Sequence, residues 1–259
     1  MKFRTFVLAS TIAFAATLAA SAASASTCIG NCGIAVANGV VVAPPGGGGY
    51  GFVSTSGGVG GAGQISGIGG GTNGSEFISD VFASDAADVL AFDFNFVTSD
   101  GAGFSDYAFA ELLTDLDAHV AWLFTARTTP MGNTSPGFDL PANDSTLTPM
   151  TSGIIGGGPA WAQLGGSSGA CFDEGCGYTG WIHSDYSIAA AGNYKFRFGV
   201  TNISDTIFDT GLAYAGLKID GNVIPGGGVI PEPSTWAMML MGFGGLGAVL
   251  RRRRTLALA

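Results

Sequence analysis

Two stretches of this chain alternate with a strict period of two. Leu90, Phe92, Phe94 and Phe96 interleave with Ala91, Asp93, Asn95 and Val97; Tyr194, Phe196, Phe198 and Val200 interleave with Lys195, Arg197 and Gly199. Successive side chains of a strand point to opposite faces, so each stretch reads as a strand with one buried aromatic face. Tyr50–Ser54, Tyr107–Leu113, Ala121–Arg127 and Ala213–Ile219 read as further strands. Pro130–Gly169, rich in Gly, Pro, Ser, Thr and Asn, reads as long loops with at most short strands. Asn38–Gly74 holds sixteen glycines in thirty-seven residues. That density loses too much backbone entropy for a helix and reads as part linker, part tight turns. Between residues 26 and 230 nothing sustains a helical period. Short strands joined by Gly-rich turns predict an all-β fold, a β-sandwich of jelly-roll type. An immunoglobulin topology fits less well, because the loops are long and no Cys…Trp…Cys core spacing occurs.

Both ends of the chain carry addresses. Lys2 and Arg4 precede an apolar core, Phe6 to Ala20, and the small residues Ala23 and Ala25 mark a cleavage site before Ser26. Residues 1–25 therefore read as a secretory signal peptide. At the other end stand Pro231, Glu232 and Pro233, an uncharged run from Trp236 to Leu250, and Arg251, Arg252, Arg253 and Arg254. Residues 234–259 read as a transmembrane helix with a basic tail, whose arginines stay on the cytoplasmic side. The order of triplet, span and arginines resembles the PEP-CTERM sorting signal of Gram-negative bacteria, in the variant with Trp-Ala after the triplet. That resemblance implies export, handling by an exosortase-type membrane enzyme and transient anchoring in the inner membrane. It further implies residence at the cell surface or in an exopolysaccharide matrix. Between the two signals lie residues 26–47 with a first cysteine pair, a sandwich domain at 48–224, and a linker at 225–233.

The exported part holds four basic residues (Arg127, Lys195, Arg197, Lys218) against eighteen carboxylates before Pro231, hence a formal charge of −14. Such a surface repels nucleic acid and anionic lipid, and suits a divalent cation or a neutral glycan. Cys28 with Cys32 and Cys171 with Cys176 form two close pairs, which an oxidising compartment turns into local disulfides. The rival reading is one zinc site of four thiolates, which lacks the usual spacing.

The body has a resemblance of its own. FDFNFVTSDGAGFSDYAFAELL, LFTARTTPMGN, CFDEGCGYTGWIHSDY and YKFRFGVTNISD look like a family of PEP-CTERM exported proteins without an assigned activity. It implies a location and a sandwich-like domain. Ile203 stands where that pattern has tryptophan, and Tyr214-Ala215-Gly216 where it has Phe-Asp-Gly.

No catalytic residue is predicted. Gly165–Gly169 matches G-x-S-x-G, yet no helix follows it, as a nucleophile elbow requires. Two G-x-G-x-x-G matches, from Gly58 and Gly69, open no helix either. His183, Ser184 and Asp185 are sequence neighbours, which a strand turns to opposite faces. Asp93, Asp100, Asp106, Asp115 and Asp117 read as an acidic rim, with Asp100 and Asp106 as candidate ligands of a structural calcium. Trp161, Tyr178, Trp181 and Tyr186 lie outside clear alternation, in or beside the second cysteine loop. They are candidate glycan contacts, or else aromatics that the loop folds inward. The function expected is a non-catalytic binding or structural module that contacts extracellular polysaccharide. The alternatives are a polysaccharide hydrolase with a carboxylate pair, and a purely structural matrix component.

Overall fold

The computed structural model describes residues 26–224. The expected signal peptide (1–25) and the expected transmembrane helix with its basic tail (234–259) lie outside the described residues. Among the described residues no helix is long and apolar enough to cross a membrane.

The strands are β1 (Thr27–Ile29), β2 (Asn31–Ala35), β3 (Tyr50–Ser54), β4 (Val59–Gly60), β5 (Gly71–Ile78), β6 (Phe82–Ser84), β7 (Val89–Thr98) and β8 (Tyr107–Thr114). They continue with β9 (His119–Arg127), β10 (Thr146–Thr148), β11 (Ile155–Gly156), β12 (Gly177–Tyr178), β13 (Ile182–Ser187), β14 (Gly192–Ile203), β15 (Thr210–Ile219) and β16 (Asn222–Val223). The first sheet runs β1-β5-β14-β8-β9, with β4 on β5 and β6 on β14. The second runs β10-β13-β7-β15-β3-β2, with β12 on β7, β11 on β12, and β16 on β15. Every pairing is antiparallel. Among the long strands the chain passes from β3 to β5, β7 and β8, then from β9 to β13, β14 and β15. Nearly every one of those steps changes sheet.

The period-two aromatics meet between the sheets. Phe94 of the second sheet stacks on Phe124 of the first at 3.7 Å, and Phe198 on Tyr214 at 4.0 Å. Phe92 meets Phe196 and Phe198 edge-on at 5.8 and 5.6 Å. Each such pair adds about 0.5–1.5 kcal/mol beyond its area burial. The expected strands all form, most of them one to three residues longer than the alternation indicated.

Both outer faces are partly covered as well. On the second sheet, Val97, Ala213 and Tyr50 pack against Val41, Trp161 and Leu164 from connecting segments. On the first sheet, Tyr107 and Phe109 are covered by Ile65.

The Gly-rich stretch, expected as part linker and part tight turns around a strand at Tyr50–Ser54, is built into both sheets. It contains β3, β4 and the start of β5. Glycine is needed for close approach: a Cβ on Gly74 would sit 2.3 Å from the carbonyl oxygens of both Ala62 and Val200. Both disulfides form, Cys28–Cys32 and Cys171–Cys176.

Candidate functional site

Inward-facing Phe92, Phe94 and Phe96 leave Asp93, Asn95 and Val97 on the outer face of β7. The antiparallel register sets His183 of β13 opposite Asp93, and Asp185 opposite Ala91. His183 Nδ1 is 2.8 Å from Asp93 Oδ1, and its Nε2 is 3.2 Å from Asp185 Oδ1. Burial works against a charged ring here. The bond to Asp93 and the charges of Asp185 and Asp93 outweigh it, and the His183 pKa rises above the ordinary 6.5. Ser184 faces inward and donates to the Leu123 carbonyl (2.9 Å), so no Ser-His-Asp triad is assembled. Sequence reasoning named His183 but missed Asp93 as its partner, because only the β7–β13 register joins them.

The four aromatic candidates separate into different places. Trp161 is fully buried, and its indole N–H donates to the Tyr50 hydroxyl at 2.9 Å. That burial removes Trp161 from reach of a ligand. Tyr186 is half-buried and packs on the central core. Tyr178 and Trp181 are half-buried on the outer face of the second sheet, at the edge of its covered part. Trp181 donates to the Val42 carbonyl (3.0 Å) and meets Tyr50 edge-on at 5.9 Å. Its ring is thereby fixed beside the His183 strand.

The expected acidic rim divides likewise. Asp117 pairs with Lys195 at the hairpin between β8 and β9. Asp93 belongs to His183. Asp100 and Asp106 lie at the other end of β8, both with zero exposure, instead of in a solvated rim. Above them the Cys171–Cys176 loop docks through Phe172 N–H to the Ser99 carbonyl (3.0 Å) and Ala102 N–H to the Glu174 carbonyl (2.8 Å). An open depression of about 460 Å³ borders this loop, lined by Pro130, Ile154, Cys171, Glu174 and Cys176.

On the first sheet Arg197 bridges two carboxylates. Its Nε donates to Glu76 Oε2 (2.7 Å) and its Nη1 to Glu111 Oε2 (2.9 Å). Glu111 also meets His119 Nδ1 at 2.7 Å. Ser167, of the G-x-S-x-G match, lies in a 3₁₀ segment and hydrogen-bonds Asp209 at 2.9 Å. Among the described residues no trio of His, Cys, Asp or Glu is arranged to hold a metal ion.

Residues 229–254 match the PEP-CTERM protein-sorting motif. The motif marks a protein exported to the cell envelope of Gram-negative bacteria and sorted by exosortase. No curated protein and no solved structure matches the chain.

Proposed function

We propose that this PEP-CTERM-tailed chain is a non-catalytic module of the cell surface or extracellular matrix. It contacts polysaccharide through the outer face of its second sheet, and the C-terminal span holds it in the membrane before exosortase acts. The observation that carries this reading is the strip formed by Tyr178, Trp181, His183, Asp93 and Asp185. An aromatic ring with one apolar face and one wet edge stacks on a sugar ring. The neighbouring carboxylates and imidazole exchange hydrogen bonds with hydroxyls in the plane of that sugar. The strand order, with its repeated crossing between sheets, supports a jelly roll, an architecture that lectin domains also use.

The competing hydrolase reading needs two carboxyl groups about 5 to 9 Å apart in an open cleft. Glu76 and Glu111 come together across Arg197, whose guanidinium donates to a carboxylate oxygen of each. A hydrolytic pair would need both carboxyl groups turned to a bound sugar and its water instead. The test is a glycan array probed with the full chain in mild detergent, run beside a reducing-end release assay on every glycan that binds. Saturable binding without release of new reducing ends supports the module. Release that stops in Glu76→Gln or Glu111→Gln makes it a hydrolase. A folded chain that binds no glycan leaves the purely structural reading.

A further inference from the structure

One end of the sandwich interior is closed by polar side chains. The inward alternation that buries Phe96, Ala108, Ala126, Val200 and Leu212 brings the next inward position of each strand to this end. Those positions are Thr98, Asp106, Thr128, Asn202 and Thr210, all with zero exposure. Asp100 follows Thr98 by two residues and is equally buried.

Donors in this cluster are used up before its acceptors are. Asp106 accepts from Ile203 N–H (2.8 Å) and from the Thr210 hydroxyl (2.6 Å). Thr98 and Thr210 share a hydrogen bond of 2.7 Å, and Thr128 donates to Thr98 at 3.3 Å. Asp100 Oδ1 accepts from Gly101 N–H (2.7 Å), whereas its Oδ2 has no partner, and neither does Asn202 Oδ1. Both orphans are buried oxygens, a type of group that folded proteins rarely leave unsatisfied. None of the basic side chains among the described residues forms an ion pair with Asp100 or Asp106.

We propose that Asp100 and Asp106 hold a hard divalent cation of the calcium type, completed by neighbouring hydroxyl, amide and backbone oxygens. The donor set contains only oxygen, which suits calcium over zinc or copper. Two carboxylates make a weak site, on the order of 10⁻⁴ to 10⁻³ M, the range of extracellular calcium modules. Its ligand Asp100 sits directly under the Cys171–Cys176 loop, so binding braces that loop against the sandwich.

The full chain in mild detergent, stripped with chelator, is titrated with calcium chloride by calorimetry and melted with and without calcium. One saturable site is expected. At a hundredfold excess over Kd the melting temperature rises by roughly 5 to 11 °C. Asp100→Asn keeps the Gly101 acceptor, and is expected to melt at or above the chelator-treated wild type and to lose both isotherm and calcium shift. Should that variant not fold, Asp106→Asn is the second arm, with the same expected loss. The proposal is overturned if the wild type shows no saturable heat, or if calcium raises the melting point equally in wild type and variant.

Discussion

Trp161 distinguishes a ligand contact from a core residue, and Trp161→Ala puts that difference on a scale. The side chain has zero exposure and lies 6.5 Å from the Tyr50 ring and 6.4 Å from that of Phe52. Truncating a buried aromatic of this size costs about 3–5 kcal/mol. For a domain of this length each kcal/mol moves the melting temperature by about 2–4 °C, so the expected loss is roughly 6 to 20 °C. The structure supplies a second arm. A Cβ on Gly211 would lie 2.5 Å from Trp161 Cζ3. Gly211→Ala alone therefore overpacks the site, at about 1–3 kcal/mol. In the Trp161→Ala background the added methyl enters space the indole has left, and the double variant loses less than the sum of the singles. The assay is urea and thermal unfolding of the four proteins, with unchanged urea slopes as the check that the same transition is compared. A Trp161→Ala protein within 1 kcal/mol of wild type, or strictly additive singles, would refute this burial.

Arg197→Met leaves Glu76 and the buried Glu111 facing each other, with only His119 on Glu111. The cost is about 3 kcal/mol, the low end for breaking a buried pair, because Arg197 is one-fifth exposed; adding Glu76→Gln and Glu111→Gln restores most of it, and a wild-type melting point in Arg197→Met would show the bridge to be idle. For His183 the folded pKa is raised, so its contribution is complete below about pH 6.5 and disappears as pH rises through the folded value. With its side chain 41% exposed, the contribution stays below about 1 kcal/mol. Wild type therefore loses a few degrees relative to His183→Gln between pH 6 and 8.5, and an NMR titration of the ring midway below 6.5 would contradict the assigned partners.

The central strands were legible because their buried faces are aromatic and unbroken, as in Phe92-Phe94-Phe96. β13 was not, because its inward position Ser184 is polar and satisfied by the Leu123 carbonyl, which erases the alternation. β5 was hidden by Gly71 and Gly74, residues of low strand propensity that are present because neighbouring backbone comes too close for a side chain. The local disulfides could be read from the close spacing of each cysteine pair together with the oxidising compartment that export implies. Asp100 and Asp106 could be picked out as a pair of acids beside turns. Their burial required following the inward alternation past Phe96 to Thr98 and beyond, on several strands at once. Trp161 gave no such clue: its place is decided by Tyr50 and Gly211, far away in the chain.

Binding through the Trp181–His183 strip is tested by affinity electrophoresis of the full chain through gels containing a polysaccharide found on the array. Trp181→Ala is run beside wild type, and the buried variant Trp161→Phe serves as control. Loss of one stacking ring weakens binding roughly tenfold, equivalent to about 1.4 kcal/mol. Trp181→Ala is expected to migrate as if unretarded at concentrations that hold back both wild type and Trp161→Phe. Equal retardation of wild type and a folded Trp181→Ala would contradict it, and would move the binding face away from the Trp181–His183 strip.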